Sequence, residues 1–432
     1  VTTHASRASH LPALLLIGFA LRVTWALSRL SDPASIDALP DQREYLQLAT
    51  NLLHGQGLHF FDPRFSDEVY AFRTPGYPVF LAVCGGSPRI ARIVQSLLDT
   101  STILAVYWLA RRWLTRGGSV LAAAIITFNP FMIYFSGLIL SETLFTALST
   151  WGALLLLGNT PDSDEAVTAE GDSPRFAPNP LLGAALLSVA ILVRPSGIAL
   201  PVLLGVAAAL LNRRRRGAYP RWWPVPPATT LLLCTLLVLA PWGYRNHRLV
   251  GAWIWTTTNA GITAYDGFND DATGASDQRF ALKIPGLSQT SELQRNTFFT
   301  DEAQRWIRHH PRRALWLSIN KIARTWSPVP LSAEYGKPLY RWIGGLYAVP
   351  VDVLIVLGIF YGRLPRSAKV YLLIPAIYIT AVHAMSVGSL RYRLPAEPVL
   401  AILAASGGGG LLAAGRAFWR LGIMGGPPIS VD

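Results

Sequence analysis

Two acidic residues three positions apart, and one arginine set among aromatic rings, are the side chains in this sequence best placed to do chemistry. Asp41-Gln42-Arg43-Glu44-Tyr45 opens a segment whose apolar residues, Tyr45, Leu48, Ala49, Leu52 and Leu53, follow the spacing of one helical face. Gln42, Arg43, Gln47 and Asn51 fall on the opposite side, and Gly55 ends the run. Asp41 therefore stands at the start of a short amphipathic helix, where a carboxylate can accept a proton from a hydroxyl. The same pair has a structural reading: Asp at an N-cap with Glu three residues later is a variant capping box, worth about 1 kcal/mol. Further on, Tyr70-Ala71-Phe72-Arg73-Thr74-Pro75-Gly76-Tyr77-Pro78 sets a lone arginine between aromatic residues. A guanidinium there can grip a phosphate through two parallel hydrogen bonds, or snorkel to lipid headgroups as an anchor.

The elements that must position these residues are membrane-spanning. Of the 432 residues 51% are hydrophobic and 15% charged, against roughly 25% charged in an average soluble domain. Long apolar runs recur along the chain, with many of the 14 Trp, 15 Tyr and 17 Phe at their edges, as an interfacial aromatic belt requires. About ten spans are predicted, near 11–30, 88–110, 118–137, 141–158, 180–194, 197–212, 227–242, 342–361, 369–387 and 396–416. The positive-inside rule puts the N-terminus in the cytoplasm. Arg111, Arg112, Arg116, the run Arg213–Arg216 with Arg221, Arg363, Arg366, Lys369, Arg416 and Arg420 then lie inside. The acidic stretch Pro161–Asp172 reads as an inner, disordered linker. Three units follow: an N-terminal membrane module over 1–242 with a long first outer loop at 31–86, an outer loop domain over 243–341, and a C-terminal membrane module over 342–432. In the outer domain, Ala252–Thr258 reads as extended, giving an α/β-like character, and Asp301–Trp326 as helical with a break at Pro311. The first loop should place its amphipathic helix in the membrane interface.

This class excludes much. The formal net charge of +13 is scattered over loops with no nucleic-acid motif, so no nucleic-acid partner is expected. Cys84 and Cys234, the only two cysteines, sit in apolar stretches without metal-ligand spacing and read as small buried residues. Arg22, near the middle of the first span, must pair with another span or face a polar cavity. Arg194, Arg245, Arg391 and Arg393 all fall on the outer side. Arg194 and Arg245 read equally as snorkelling residues. Arg391 and Arg393 stand in a short outer loop against the charge bias, which favours binding a phosphate. His383, near the outer end of the ninth span, reads as a satisfied polar contact more readily than as an acid or base.

The motifs together resemble a family. Asp41-x-x-Glu44-Tyr45-x-x-Leu48-Ala49-x-Asn51-Leu52, Gly55-x-Gly57 and Arg73-Thr74-Pro75-Gly76-Tyr77-Pro78 are similar to the first periplasmic loop of bacterial GT-C glycosyltransferases, relatives of the protein O-mannosyltransferases and the lipid A aminoarabinose transferase. Ser141-Glu142-Thr143-Leu144-Phe145, Leu192-Val193-Arg194-Pro195, Pro241-Trp242-x-x-Arg245-Asn246 and Arg391-Tyr392-Arg393-Leu394-Pro395 follow in the family's order, so the resemblance spans nearly the whole chain. It implies an all-α polytopic GT-C fold in the cytoplasmic membrane, with the active site on the extracytoplasmic side. It implies an enzyme that moves a sugar, with inversion, from a polyprenyl-phosphate donor such as undecaprenyl phosphate to a hydroxyl of a glycan, lipid or protein. Carried over by motif, Asp41 is the catalytic carboxylate, Arg73 the donor-phosphate residue, Tyr45 and Tyr70 its aromatic companions, and Glu142 a second acidic position. Glu44, Arg194, Arg245 and His383 are supporting residues. Gln42 departs from the O-mannosyltransferases, which carry Glu beside the catalytic Asp, and this weakens protein as the acceptor. No cofactor is required by such chemistry; a divalent cation is compatible with it, but nothing in the sequence asks for one. The competing class is a transporter or flippase of a lipid-linked or anionic substrate. Against it stand the absence of visible paired halves and the gathering of charge at one membrane face.

Overall fold

The computed structural model describes residues 10–29, 36, 39–157, 177–212, 227–332 and 337–424. The predicted linker Pro161–Asp172, the basic run Arg213–Arg216 and Arg221 lie outside the described residues, as do the side chains of Arg416 and Arg420. In chain order the helices are α1 (Leu11–Ser28), α2 (Pro40–Leu53), α3 (Gly76–Val83), α4 (Pro88–Ala110), α5 (Arg116–Thr127), α6 (Pro130–Ser136), α7 (Glu142–Leu156), α8 (Pro180–Val193), α9 (Leu200–Asn212), α10 (Pro227–Val250), α11 (Ala260–Gly267), α12 (Glu292–His309), α13 (Pro311–Thr325), α14 (Pro338–Phe360), α15 (Arg366–Ala384) and α16 (Glu397–Met424). A hairpin of β1 (Phe60–Asp62) and β2 (Asp67–Val69) pairs antiparallel with Phe60 opposite Val69. The chain is an all-α polytopic membrane protein.

Every predicted span is helical, but they differ in reach. Among the described residues six helical stretches are long and apolar enough to cross a bilayer, and the pair α5 and α6, bent by 51°, makes a seventh if taken as one broken span. The helices α7, α8 and α9 have 15, 14 and 13 residues, short of the roughly 20 that a straight crossing takes.

Arg22 explains the broken span. Its guanidinium pairs with Asp99 of α4 and donates to Gly18 O, Ile126 O and Thr127 O. The last two are carbonyls of the final turn of α5, which have no i+4 backbone donor because Phe128-Asn129-Pro130 prevents the helix from running on. Asn129 then caps α6 through Phe131 N and Met132 N, 3.0 and 3.1 Å away. Elsewhere the bundle closes by backbone contact. A Cβ on Gly358 of α14 would lie 1.9 Å from Leu403 O of α16, and one on Gly407 would lie 2.2 Å from Leu354 O, the small-residue approach that membrane helices use for packing.

The two long segments between spans differ from expectation in two ways. The strand pair lies in the 31–86 loop, and 243–332 holds only helices and 3-10 turns among the described residues, so the α/β-like character expected of that second segment is corrected. Ala252–Thr258 forms no strand: side chains of α10 take its carbonyls, Trp242 Nε1 donating to Thr256 O at 2.7 Å and Asn246 Nδ2 to Ile254 O at 2.8 Å, and a single backbone bond runs from Thr258 N to Ala71 O. The predicted break at Pro311 is present, between α12 and α13.

Candidate functional site

Proline at the first helical position starts α2, with Leu39 as the N-cap and no side-chain capping bond. Asp41 and Glu44 are therefore spent elsewhere, and the capping-box reading falls away. Asp41 Oδ1 accepts from Arg73 Nη2 at 2.6 Å, and its Oδ2 accepts from Arg391 Nη1 at 2.9 Å. Glu44 Oε2 accepts from Arg73 Nε at 2.8 Å and Oε1 from Arg64 Nη2 at 3.2 Å. Arg64, at the hairpin turn, is itself held by the buried Asp62 through Nε at 2.8 Å. Arg73 lies 5.3 Å over the Tyr45 ring, where a cation gains further from the ring face.

A second carboxylate organises the other half. Glu142 opens α7, where the helix dipole favours a negative charge. Its Oε1 meets Arg194 Nη1 at 2.7 Å and Arg391 Nε at 3.6 Å, while Oε2 is buried with no hydrogen-bond partner. Ser141 Oγ accepts from Arg194 Nη1 at 3.2 Å and from the Tyr45 hydroxyl at 3.5 Å. Arg391 thus bridges Asp41 and Glu142, and joins the 31–86 loop to the 3-10 turn Leu390–Ala396. The Tyr392 ring lies beneath Arg391 at 5.0 Å and Arg194 at 5.5 Å, and stacks on His383 at 3.8 Å, nearly parallel. Arg194, Arg391, Tyr392, His383, Ser196 and Tyr378 line a narrow cleft with room for about one water molecule.

The charges set the local acid-base chemistry. Burial raises the Asp41 pKa, but Arg73 and Arg391 outweigh it and hold the carboxyl well below its ordinary value. Burial keeps Glu44 above the usual carboxylate range despite Arg73 and Arg64, with Asp41 adding to the rise. Burial disfavours the Arg73 cation, yet Glu44 and Asp41 raise its pKa well beyond the ordinary. Asp41 is thus held as a carboxylate whose two oxygens are engaged by two cations.

The chain closes this site from six segments, and its fold has solved counterparts. No protein-family model matches the chain, and no curated protein matches its sequence. The oligosaccharyltransferase of Archaeoglobus fulgidus, in its apo form, superposes with a TM-score of 0.55 at 13% identity, covering 100% of this chain and 54% of its own. The chain shares the fold of that oligosaccharyltransferase. The present chain spans about half the length of that oligosaccharyltransferase. A second form of the archaeal enzyme, AglB with an inhibitory peptide and a dolichol-phosphate, gives 0.49 at 12% identity over 98% of this chain and 52% of its own. ArnT from Cupriavidus metallidurans, bound to undecaprenyl phosphate, gives 0.38 at 16% identity over 98% and 82%. The fold relation rests on the first of these.

Within this scaffold, Asp41, Glu44, Tyr45, Arg73, Glu142, Arg194 and Arg391 come together, with His383 behind Tyr392. Arg393 does not join them, which corrects its expected pairing with Arg391. It is fully buried, paired to Glu397 and 3.4 Å from Asp352, with its guanidinium 5.3 Å over Trp326. Tyr70 and Arg245 are also outside the cluster. Tyr70 stacks on His59 at 5.4 Å, and its carbonyl accepts from Arg245, whose other nitrogen donates to Leu58 O. Arg245 braces the first loop against α10 rather than snorkelling. Gln42, expected on the polar face, is buried: Ile139 N donates to its Oε1 at 2.9 Å and its Nε2 donates to Ile36 O at 3.2 Å.

Arg64, Asp62, Ser141 and Tyr392 belong to the site or its wall and carried no assigned role in the sequence. The Asp62-Pro63-Arg64 turn in a loop already rich in charge was the available signal. Among the described residues no group of three or more His, Cys, Asp or Glu side chains is arranged to hold a metal.

Proposed function

We propose that the protein is an integral membrane glycosyltransferase that moves a sugar from a polyprenyl-phosphate donor to a hydroxyl acceptor, with inversion, at the extracytoplasmic face of the cytoplasmic membrane. The observation that carries this reading is one carboxylate, Asp41, held between two arginines from opposite ends of the chain. In the reaction the acceptor oxygen bonds to the anomeric carbon on the face opposite the phosphate. The carbon–phosphate-oxygen bond breaks and its electron pair stays on the phosphate. The acceptor proton passes to Asp41. Arg73 and Arg391 stabilise the charge growing on the leaving phosphate.

The phosphate must first compete with Asp41 for these guanidinium groups. Each one it takes removes a cation from Asp41 and raises the basicity of the carboxylate, so donor binding unmasks the base. Glu142 and Glu44 keep the arginines oriented during the exchange. The charged groups sit at helix ends rather than at mid-span, which suits interfacial transfer better than transport through the bundle. The test is incubation of purified protein with radiolabelled polyprenyl-phosphate sugars and cell-envelope extract. Label appearing in an acceptor supports the reading; label that only crosses liposome membranes while still attached to the polyprenyl carrier overturns it in favour of a flippase.

A further inference from the structure

Helix α13 has two distinct faces. Ala314, Leu317, Lys321 and Thr325 form the buried one. A second ridge, Leu315, Trp316 and Ile319, is 64%, 57% and 58% exposed, and continues to the exposed Ala323. Such a ridge on a water-facing domain would be costly. Its depth argues that it does not face water. At the end of the helix Trp326 Nε1 donates to Thr380 Oγ1 of α15 at 2.8 Å, one turn before that span ends. After 12 residues the chain enters α14, whose first turns expose Leu339, Trp342 and Leu346, as lipid-facing positions of a span do. The ridge therefore continues a lipid-facing surface. The turn leading into α13 is basic, with Arg308, His309, His310, Arg312 and Arg313 all exposed. Arg313 donates to Asp270 O, and Glu302 pairs with Arg305 on the preceding turns.

We propose that α13 is an interfacial helix that docks on phospholipid. Its ridge of Leu315, Trp316 and Ile319 lies at the acyl-chain border of the leaflet beside the site, and Arg308 and Arg312 meet lipid phosphates. A short helix with an apolar face and a basic flank binds a bilayer surface in this way. The docking reaches the site. Arg324 Nε donates to Gly388 O at 3.3 Å, and a Cβ on Gly388 would lie 2.5 Å from Lys321 O. The membrane-held helix thus packs directly on the segment that delivers Arg391. The proposal does not depend on the transferase reading.

The experiment uses the full chain with Cys84 and Cys234 replaced by serine, reconstituted in phosphatidylcholine–phosphatidylglycerol liposomes. An environment-sensitive nitrobenzoxadiazole label is placed through Trp316→Cys, Ile319→Cys or, should either fail to fold, Leu315→Cys. Arg279→Cys serves as a control, since Arg279 is exposed on the same outer domain. Ridge labels should emit at shorter wavelength than the control. They should be shielded from iodide at least severalfold, and quenched more by a spin label at acyl carbon 5 than at carbon 12. Water-like emission with full iodide access overturns the proposal. So does apolar emission without quenching from the lipid, which would assign the ridge to a second protein copy.

Discussion

Replacing Asp41 by Asn separates a base from a structural carboxylate. Asn keeps the size of the side chain and removes its charge, so proton acceptance is lost. General-base catalysis is worth about 10²- to 10⁴-fold, or roughly 3–5.5 kcal/mol of barrier. The fold should survive, because each arginine that Asp41 holds has a second carboxylate: Glu44 for Arg73 at 2.8 Å and Glu142 for Arg391 at 3.6 Å. Donor affinity should hold or tighten, since Asp41 Oδ1 and Oδ2 occupy Arg73 Nη2 and Arg391 Nη1, atoms that a phosphate needs. The assay is single-turnover transfer together with equilibrium binding of undecaprenyl phosphate to the same purified protein. A kcat lower by two orders or more, with Kd unchanged or smaller, is the expected pattern. Wild-type turnover removes Asp41 from the role of base. A Kd weakened tenfold or more, in a variant that melts like the wild type, refutes the idea that carboxylate and phosphate compete for these arginines.

Arg73→Ala should weaken polyprenyl-phosphate binding roughly ten- to a hundredfold, from the loss of about 1.5–3 kcal/mol of charged hydrogen bonding. Arg73→Lys should retain part of that affinity, whereas an anchor would show no binding defect; titration with the lipid phosphate alone reads both. Glu142→Gln strips a buried carboxylate from between Arg194 and Arg391, and should lower thermal stability and kcat together, by about 3 kcal/mol in stability. Because Asp41 in the donor-free protein is depressed by its two arginines, wild-type kcat/KM should show no acid limb from it within the range where the protein stays folded. Arg391→Gln should bring such a limb up by about one to two pH units, since 1.36 kcal/mol corresponds to one unit, and a pH–rate profile checks the shift. The stability that Asp41 contributes is present above its unfolded pKa of about 3.9 and disappears as pH falls through the folded value. Arg391→Gln should therefore move that acid loss to higher pH.

Much of this arrangement was legible because it follows local rules. The apolar period from Tyr45 to Leu53 gave α2, Pro311 gave the α12–α13 break, and a lone arginine in an aromatic loop pointed to Arg73. What was hidden depends on contacts far apart in sequence. Arg391 and Arg393 look alike as neighbours in one loop, but residues two apart in a 3-10 turn face different directions. The inward one is claimed by Asp352 and Glu397, carboxylates within apolar runs that require a counter-ion. That requirement is visible in the sequence once the two acids are noticed. Gln42 reads as polar surface because nothing local reveals that Ile139 N, after the short helix α6, needs an acceptor.

The site's charge count supports the order of events proposed for catalysis. Asp41, Glu44, Asp62 and Glu142 face Arg64, Arg73, Arg194 and Arg391, four charges of each sign in one connected network. A balanced network leaves no idle cation for a phosphate to find, so donor affinity must come from exchange of partners. Exchange is easiest at Asp41, whose side chain is about a quarter exposed, while those of Asp62 and Glu142 are buried. The most exposed carboxylate is thus also the one at the start of its helix, bound to Arg391, which lines the cleft. A phosphate that displaces it leaves the other three to hold the arginines. On the proposed mechanism, the carboxylate most open to exchange is the one that serves as base, so the base becomes available as the leaving group takes its place.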